Sequence, residues 1–444
     1  MPADIITNAV ASSVGSIALL LNPTELRHDA ESSGTNAPEA EASDKLFGEW
    51  GGFRSIWSDH GFDFTVQYIG EGMANTSGGI KRGQVYNGLL NMAADLNLDK
   101  SFGWKSATLH TGVLLPHGRS LSTYYSGDSF VASNLDADGE LHLFELWLEQ
   151  NFAEDKFSVR VGQMAVDQEF AFTEQGALFN NSAFGWFPIV GATAPVYPQG
   201  APGVRIKLNT WEQSYLQFAV VDGDIDPSGD NVHGTKVKFN EGALVLGEGG
   251  YNWNHNNKPG SIKIGAWYHT AHTDHVRTDD TGLSLADPLT SGAPESIKGN
   301  WGVYAAAEQV IWKENSDDKD SKQGVGVFGR TGYEPSDRNF LSFYAEAGVT
   351  RTGLLSGRDY DVCGLGIAYG RVSSDTRGLV KDDNFFNAGG AAVPDHEIVI
   401  EVEYQFKLRP GFVIQPGIQF IKHPSGSADI KDSTVIGLRT IIDF

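Results

Sequence analysis

The sequence predicts an all-β fold: a transmembrane antiparallel β-barrel of about 16 strands with a short N-terminal helix. Three observations predict it. Apolar and polar residues alternate with period two from Phe62 to the end of the chain. The polar half of that alternation carries long ionised side chains in mid-strand, and the last strand ends on an aromatic residue, Phe444.

The bulk properties are consistent with this and exclude other classes. No apolar run reaches the roughly 20 residues that a membrane-spanning helix needs, so any membrane crossing must use strands. Barrel strands face lipid on alternate residues only, which fits a mean hydropathy of -0.25. A formal charge of -23 disfavours nucleic acid as a partner, because phosphate backbones reward basic surfaces. Cys363 is the sole cysteine, so no intramolecular disulfide forms. Within DVCGLGIAYG it reads as a small, inert side chain facing lipid or core.

Residues 1–46 stand apart. IITNAVASSVGSIALLL is moderately apolar but follows no Lys or Arg, so it lacks the basic n-region of a leader. RHDAESSGTNAPEAEASD buries too little apolar surface to fold alone and reads as a disordered segment. Residues 47–61 follow as an amphipathic helix at the barrel end, because Leu46, Trp50, Phe53 and Trp57 recur at spacings of three and four. The barrel then occupies 62–444.

The strands follow in order. Phe62, Phe64, Val66 and Tyr68 alternate with Asp63, Thr65, Gln67 and Ile69. Tyr86, Leu90 and Met92 oppose Asn87, Leu89 and Asn91, and Leu109 and Val113 alternate with Thr108 and His110. Phe144, Leu146 and Leu148 alternate with Glu145, Trp147 and Glu149; Val159 and Val161 alternate with Ser158 and Arg160. Val204, Ile206 and Leu208 flank Arg205 and Lys207, and Ile262 and Ile264 flank Lys263. Leu341, Phe343 and Val349 oppose Ser342, Tyr344 and Glu346. Ile400 and Val402 oppose Glu401 and Glu403; Ile414 and Ile418 oppose Gln415 and Gln419; Ile436 and Leu438 oppose Val435 and Arg439. EGALVLGEGGY and WGVYAAAEQVIW leave the phase of Glu248 and Glu308 open.

Alternation alone fits a soluble sandwich as well. The charged face discriminates. In a packed core, unpaired charge is costly, so Arg160, Arg205, Lys207, Glu145, Glu149 and Glu401 must be wet. That face is either an outer protein surface or a water-filled lumen. Tyr68, Phe152, Phe157, Tyr268, Phe340, Phe406, Phe412 and Phe420 suit the interfacial girdles of a membrane barrel. Tight turns at 154–156 and 408–411, set against long segments at 115–140, 168–202, 222–240 and 271–298, suit its two unequal ends. A last strand ending on Phe444 matches the general pattern of substrates of the barrel-assembly machinery.

Several motifs, in order, resemble the carbohydrate-selective porins of the OprB type: GEWGGFRSIWSDHGFDF, HGRSLS, LFELWLEQNF, VRVGQMAVDQEF, YPQGAPGVRI, GYEPSDRNF, GLLSGRDYDVCGLGIAYG and EIVIEVEYQFKLRPGFVIQPGIQFIKHPSG. They cover nearly all of the chain after residue 46. The resemblance implies a 16-stranded Gram-negative outer-membrane barrel with a constricted lumen for passive uptake of monosaccharides such as glucose. Gly417 departs from the family, which often has Asp at this place in the Gln-Pro box.

A pore that prefers neutral, hydroxyl-covered solutes needs donors and acceptors at close range. Arginine supplies a fixed fork of donors and carboxylates accept. Arg160, Glu145, Glu149 and Trp147 are therefore the first constriction candidates, followed by Arg205, Lys207 and Arg119. Each also fits a bland role as part of an ion-pair ladder that only stiffens the wall. The segment 168–202, with FNNSAFGWFPIVG, is long and apolar enough to pack inside and narrow the lumen.

There is no HExxH, P-loop or Gly-x-Ser-x-Gly elbow, so no enzyme, cofactor or metal is expected. Asp279/Asp280, Asp317/Asp318 and DGDIDPSGD read as solvated acidic loops, the last with a partial likeness to a calcium loop. The expected partners are sugars, outer-membrane lipid and, through Phe444, the assembly machinery, with the barrel a monomer or a trimer. Two further functions fit the sequence: a general or anion-preferring porin using Arg160, Arg205, Lys207 and Arg439, and a non-membrane β-sandwich that binds carbohydrate.

Overall fold

A computed structural model describes residues 45–137, 139–185, 187–190, 194–211, 213–223, 231–237, 239, 242–315 and 321–444. The segment 1–44, Asp317/Asp318 and most of DGDIDPSGD lie outside the described residues.

The strands are β1 Phe62–Gly79, β2 Gly83–Asn97, β3 Ala107–His117, β4 His142–Phe152, β5 Phe157–Met164, β6 Ala201–Trp211, β7 Ser214–Asp222 and β8 Ala243–His255. The second half comprises β9 Lys258–Asp279, β10 Pro294–Lys313, β11 Gly324–Tyr333, β12 Leu341–Thr352, β13 Val362–Val372, β14 His396–Arg409, β15 Phe412–Lys422 and β16 Lys431–Asp443. Each pairs antiparallel with its chain neighbours, and β1 closes on β16 from Gln67↔Asp443 to Gly79↔Lys431. Closure removes the two sheet edges, whose unpaired backbone groups lipid would not tolerate. It also excludes the β-sandwich.

The burial is inverted relative to a water-soluble sheet. Outward side chains are exposed and apolar, among them Val204, Phe218, Ile264, Ile367, Val402 and Leu438. Inward ones are buried and mostly polar: Glu71, Arg205, Gln217, Glu346, Glu401 and Arg439. Only a hydrocarbon surrounding makes the first set favourable. Glu248 and Glu308, left open by the sequence, both point inward.

Two bulges reverse expected phases. Gly112 pairs with Glu145 and Val113 with Leu143, so Phe144 is an extra residue on β4. It turns inward and is buried rather than facing lipid. Leu341 pairs with Val372 and Phe343 with Arg371, and the skipped Ser342 sends Leu341 inward too. Phe340, expected in the girdle, is buried in the interior cluster beside Leu341. Tyr268, Trp301, Tyr333, Phe343 and Phe420 form the exposed aromatic band at one end of the outer wall.

Termini and tight turns share one end, which the rule of short periplasmic turns assigns to the periplasm. The opposite end carries the longer connections. Half of the expected long segment 271–298 is strand: β9 continues to Asp279 and β10 starts at Pro294. The pair thus projects beyond the membrane, which a tilted strand crosses in about 9–11 residues. Helix α1 (Phe53–Asp59) lies at the periplasmic end against outward aromatics of β1, with Trp57–Phe62 and Trp50–Phe64 ring centroids 5.1 and 5.2 Å apart. Arg54 donates from its guanidinium to the carbonyl of Phe64 and to a main-chain oxygen of Phe444, and the Phe444 amide donates to Val66.

Candidate functional site

The interior is organised by the long β5–β6 connection, which folds into the barrel. Its Phe170, Phe179, Phe184, Phe187, Ile189 and Val190 are buried against wall residues Tyr304, Phe328 and Tyr344. Phe187 meets Tyr344 and Tyr304 edge-on at 5.3 and 5.7 Å. A loop carries unpaired backbone groups, so burying it requires polar partners on the wall. Arg330 supplies four bonds, to the carbonyls of Ala171, Ala183, Phe184 and Gly185 at 2.7–3.1 Å, while holding Glu346 at 2.7 Å. Glu401 accepts from the Asn180 and Asn181 amides, Glu248 from the Ala171 amide, and the Trp267 indole donates to Ile189.

The β3–β4 connection folds in as well. Its Ser129 and Phe130 amides donate to Glu397, and its Asn134 side chain accepts from Arg439, which pairs with Glu71 at 2.9 Å. The two loops meet where the Asn134 amide donates to Asn180 and the Ser182 amide to Val131. The expectation that the charged face is wet therefore fails over part of the wall. Glu346, Arg330, Glu401 and Glu71 are dry, and loop amides, carbonyls and paired charges take the place of water. A side chain at Gly417 would collide with the Glu403 carboxylate, which gives a steric reason for the small residue there.

A cavity of about 900 Å³ lies on the β2–β10 side of the loop. Its wall brings together six of the seven sequence candidates: Glu145, Trp147, Glu149, Arg160, Arg205 and Lys207. Glu149, Arg160 and Arg205 lie on β4, β5 and β6 as successive ladder partners. The register sets Arg160 directly opposite Arg205, a repulsive pairing on its own. Two carboxylates resolve it. Glu149 holds Arg160 at 2.7 Å and Arg205 at 2.9 Å; Glu169, from the infolded loop, holds each at 2.7 Å. Burial alone would raise the Glu169 pKa, but the two guanidinium groups outweigh it and bring it down to about 2.

Trp147 lies between two cations or potential cations. The Arg160 guanidinium sits 3.8 Å from its ring and His110 stacks at 4.6 Å. Neither indole face is a free platform for a sugar, and Nε1 is buried. His110 bonds Asp95 at 2.8 Å and lies 3.6 Å from Glu145. Glu145 also accepts the Ala165 amide, so it pins the root of the loop as well as lining the cavity. Next to it, burial and then the Glu145 charge push the Asp167 carboxyl up to about 8. The Lys207 ammonium lies 4.9 Å from the Tyr215 ring.

Arg119 is not in this wall. It belongs to the β3–β4 connection, where its guanidinium sits 3.7 Å from the Tyr124 ring. Conversely, sequence reasoning missed Glu169, Gln168, Phe172, Tyr215, Gln217 and Lys263, all of which line the cavity. The alternation SIKIG signals an inward Lys263. No periodic signal exists for Glu169 or Gln168, because loops have none.

Known proteins resemble this chain along its length. The family model described as carbohydrate-selective porin, OprB family, matches residues 81–444. Porin B of Pseudomonas aeruginosa is 26% identical over 436 residues, covering 91% of this chain and 93% of that protein. The high-pH structure of Pseudomonas putida OprB matches with a TM-score of 0.84 at 24% identity, over 91% of this chain and 99% of that one. The low-pH structure of that protein gives 0.58 at 18% identity over 91% and 100%.

Proposed function

The chain belongs to the carbohydrate-selective porin family, OprB type, and on that premise we propose that it passes monosaccharides such as glucose through a filter built on Glu149, Arg160, Arg205 and Glu169. As a family member with a closed barrel it resides in the outer membrane and conducts solutes passively.

The observation that carries the filter is charge balance. Two arginines and two glutamates close a ring of four contacts at 2.7–2.9 Å and sum to zero. A permeating ion of either sign gains little there, while a polyol meets donors and acceptors within one van der Waals layer. This favours a neutral hydroxylated solute over the anion-preferring reading. Trp147 Nε1 and Gln168 Nε2 are buried donors on cavity-lining residues with no hydrogen-bond partner among the described residues. Binding stays weak because the arginines are already satisfied by carboxylates, and weak binding allows release on the far side. Lys207 and Lys263 extend the donor set along the cavity; Glu145 and Trp147 position it.

Phe444 serves, in this reading, as the handle for the barrel-assembly machinery, being the terminal aromatic of the closing strand. Liposome swelling with pentoses, hexoses and disaccharides tests the filter. Arg160→Ala is expected to abolish the preference for glucose over a non-sugar of equal size. A preference unchanged in that variant refutes the assignment.

A further inference from the structure

The outer wall carries a second chemistry at the extracellular ends of β13, β14 and β15. Along β13 the outward residues are Leu365, Ile367, Tyr369 and then Arg371. Along β14 they rise through Val402 and Ile400 to His396, and along β15 through Phe420 to Lys422. The apolar belt therefore ends in Tyr369, Ile398 and Phe420, and the next outward position on each strand is basic or imidazole. The three are laterally close: Arg371 pairs with His396 across the ladder, and Ile398 pairs with Lys422. His396 stacks on Tyr369 at 5.5 Å and meets the His423 ring at 5.0 Å.

Arg371 and Lys422 are both exposed and, among the described residues, neither makes an ion pair. Asp395 is a shared neighbour of this group: a hydrogen bond with His396 and the charges of Arg377, His396 and Arg371 lower its pKa. Asp395 takes Arg377 at 3.2 Å and His396 at 2.9 Å, and Asp432 accepts the His423 amide at 3.0 Å. In a chain of net charge -23, two exposed cations without a close ion pair at the level where headgroups begin need a reason. The outer leaflet of a Gram-negative outer membrane presents phosphorylated glycolipid at that depth.

We propose that Arg371 and Lys422, with His396 between them, bind the phosphate of an outer-leaflet glycolipid headgroup on the outside of the barrel. The guanidinium offers a forked contact and the ammonium a point charge to the same anion. Tyr369 lies at the interfacial depth that suits its amphipathic ring, beside the headgroup sugar. The acyl chains then run down Ile367, Ile400 and Phe420.

The full-length porin, purified in detergent, is titrated with rough lipopolysaccharide, the same glycolipid after phosphatase treatment, and phosphatidylglycerol. Bound lipid is read by native mass spectrometry. The wild type is expected to retain the phosphorylated glycolipid. Arg371→Gln/Lys422→Gln is expected to weaken it about thirtyfold, since each of the two surface cations contributes about 1 kcal/mol toward an anionic lipid. Lys298→Gln, on β10, serves as the control that keeps wild-type retention. Heat-modifiable migration confirms that each variant folds, and glucose swelling rates stay at the wild-type level. Equal retention by the double variant, or equal binding of the phosphatase-treated glycolipid, overturns the proposal. Equal binding of phosphatidylglycerol overturns the assignment to a glycolipid.

Discussion

Glu169 and Arg205 meet at 2.7 Å, although one belongs to a loop that folds in from the extracellular end and the other to the barrel wall. The loop thereby closes a charge ring that the wall alone leaves incomplete, with Arg160 and Arg205 facing each other across the β5–β6 ladder. The filter depends on loop placement as much as on strand register.

Replacing Glu169 with Gln should leave one net positive charge in the ring. The expected outcome is a shift of the reversal potential toward anion selectivity in planar bilayers under a salt gradient. Discrimination among sugars should fall several-fold, because both guanidinium groups lose a fixed acceptor. The partly solvated ring should cost about 1–2 kcal/mol of stability, less than the 3–5 kcal/mol typical of a fully buried pair. An unchanged reversal potential would remove Glu169 from the conduction path.

Acid should act late on this ring. Glu169 has its pKa lowered to about 2, against an unfolded value near 4. A depressed carboxylate stabilises the fold above its unfolded pKa, and that contribution is lost as pH falls through its folded value. Ion selectivity should therefore be constant between pH 7 and about 4.5 as far as Glu169 is concerned, and should drift only toward pH 2–3. A transition near pH 4.5 that disappears in Glu169→Gln would contradict this.

Alkali should loosen the root of the same loop. Asp167 is raised to about 8 by burial and the neighbouring Glu145 charge, so it is neutral at pH 7. The sign is opposite to that of Glu169: the contribution is present below the unfolded pKa and is lost as pH rises through about 8. Single-channel recordings at pH 9.5 are expected to show more current noise than at pH 6.5. Asp167→Asn, which mimics the protonated form, should stay quiet at both; noise that rises equally in this variant would assign the effect to another group.

Arg330 is the main tether between loop and wall. Arg330→Ala removes four loop bonds and leaves Glu346 buried without its partner. The expected loss is about 3–5 kcal/mol, read as a lower temperature for the heat-modifiable gel shift. Single-channel conductance should rise as the loop leaves the lumen. A stable variant of unchanged conductance would mean that the aromatic contacts of Phe184 and Phe187 hold the loop alone.

At the other end, Arg54→Ala should release helix α1 from the main-chain oxygens of Phe64 and Phe444. About 1 kcal/mol of stability is at stake for a hydrogen bond of this kind. Sugar swelling should not change, because the contact lies at the periplasmic end, away from the cavity wall.

Sequence periodicity determined the phase of most strands and the inward set Glu149, Arg160, Arg205 and Lys207, and the charge on the polar face, with the turn lengths and the ordered motifs, determined the barrel. The physical reason is local: in a membrane wall every second side chain meets lipid, so each strand records its own orientation. Local signals failed where one extra residue shifts the pleat, as at Phe144 and Leu341. They were silent where no period exists, as at Glu169 and Gln168. Only the tertiary structure decided that Glu401 and Glu346 are dry, that Arg119 lies away from the cavity and that both faces of Trp147 are covered. The dryness depends on loops meeting walls far away in the chain, as the Asn180 amide meets Glu401, and the covering of Trp147 depends on which residues of β3 and β5 the register brings beside it. Complementarity at such separations is a property of the folded chain, and no periodicity within a single strand encodes it.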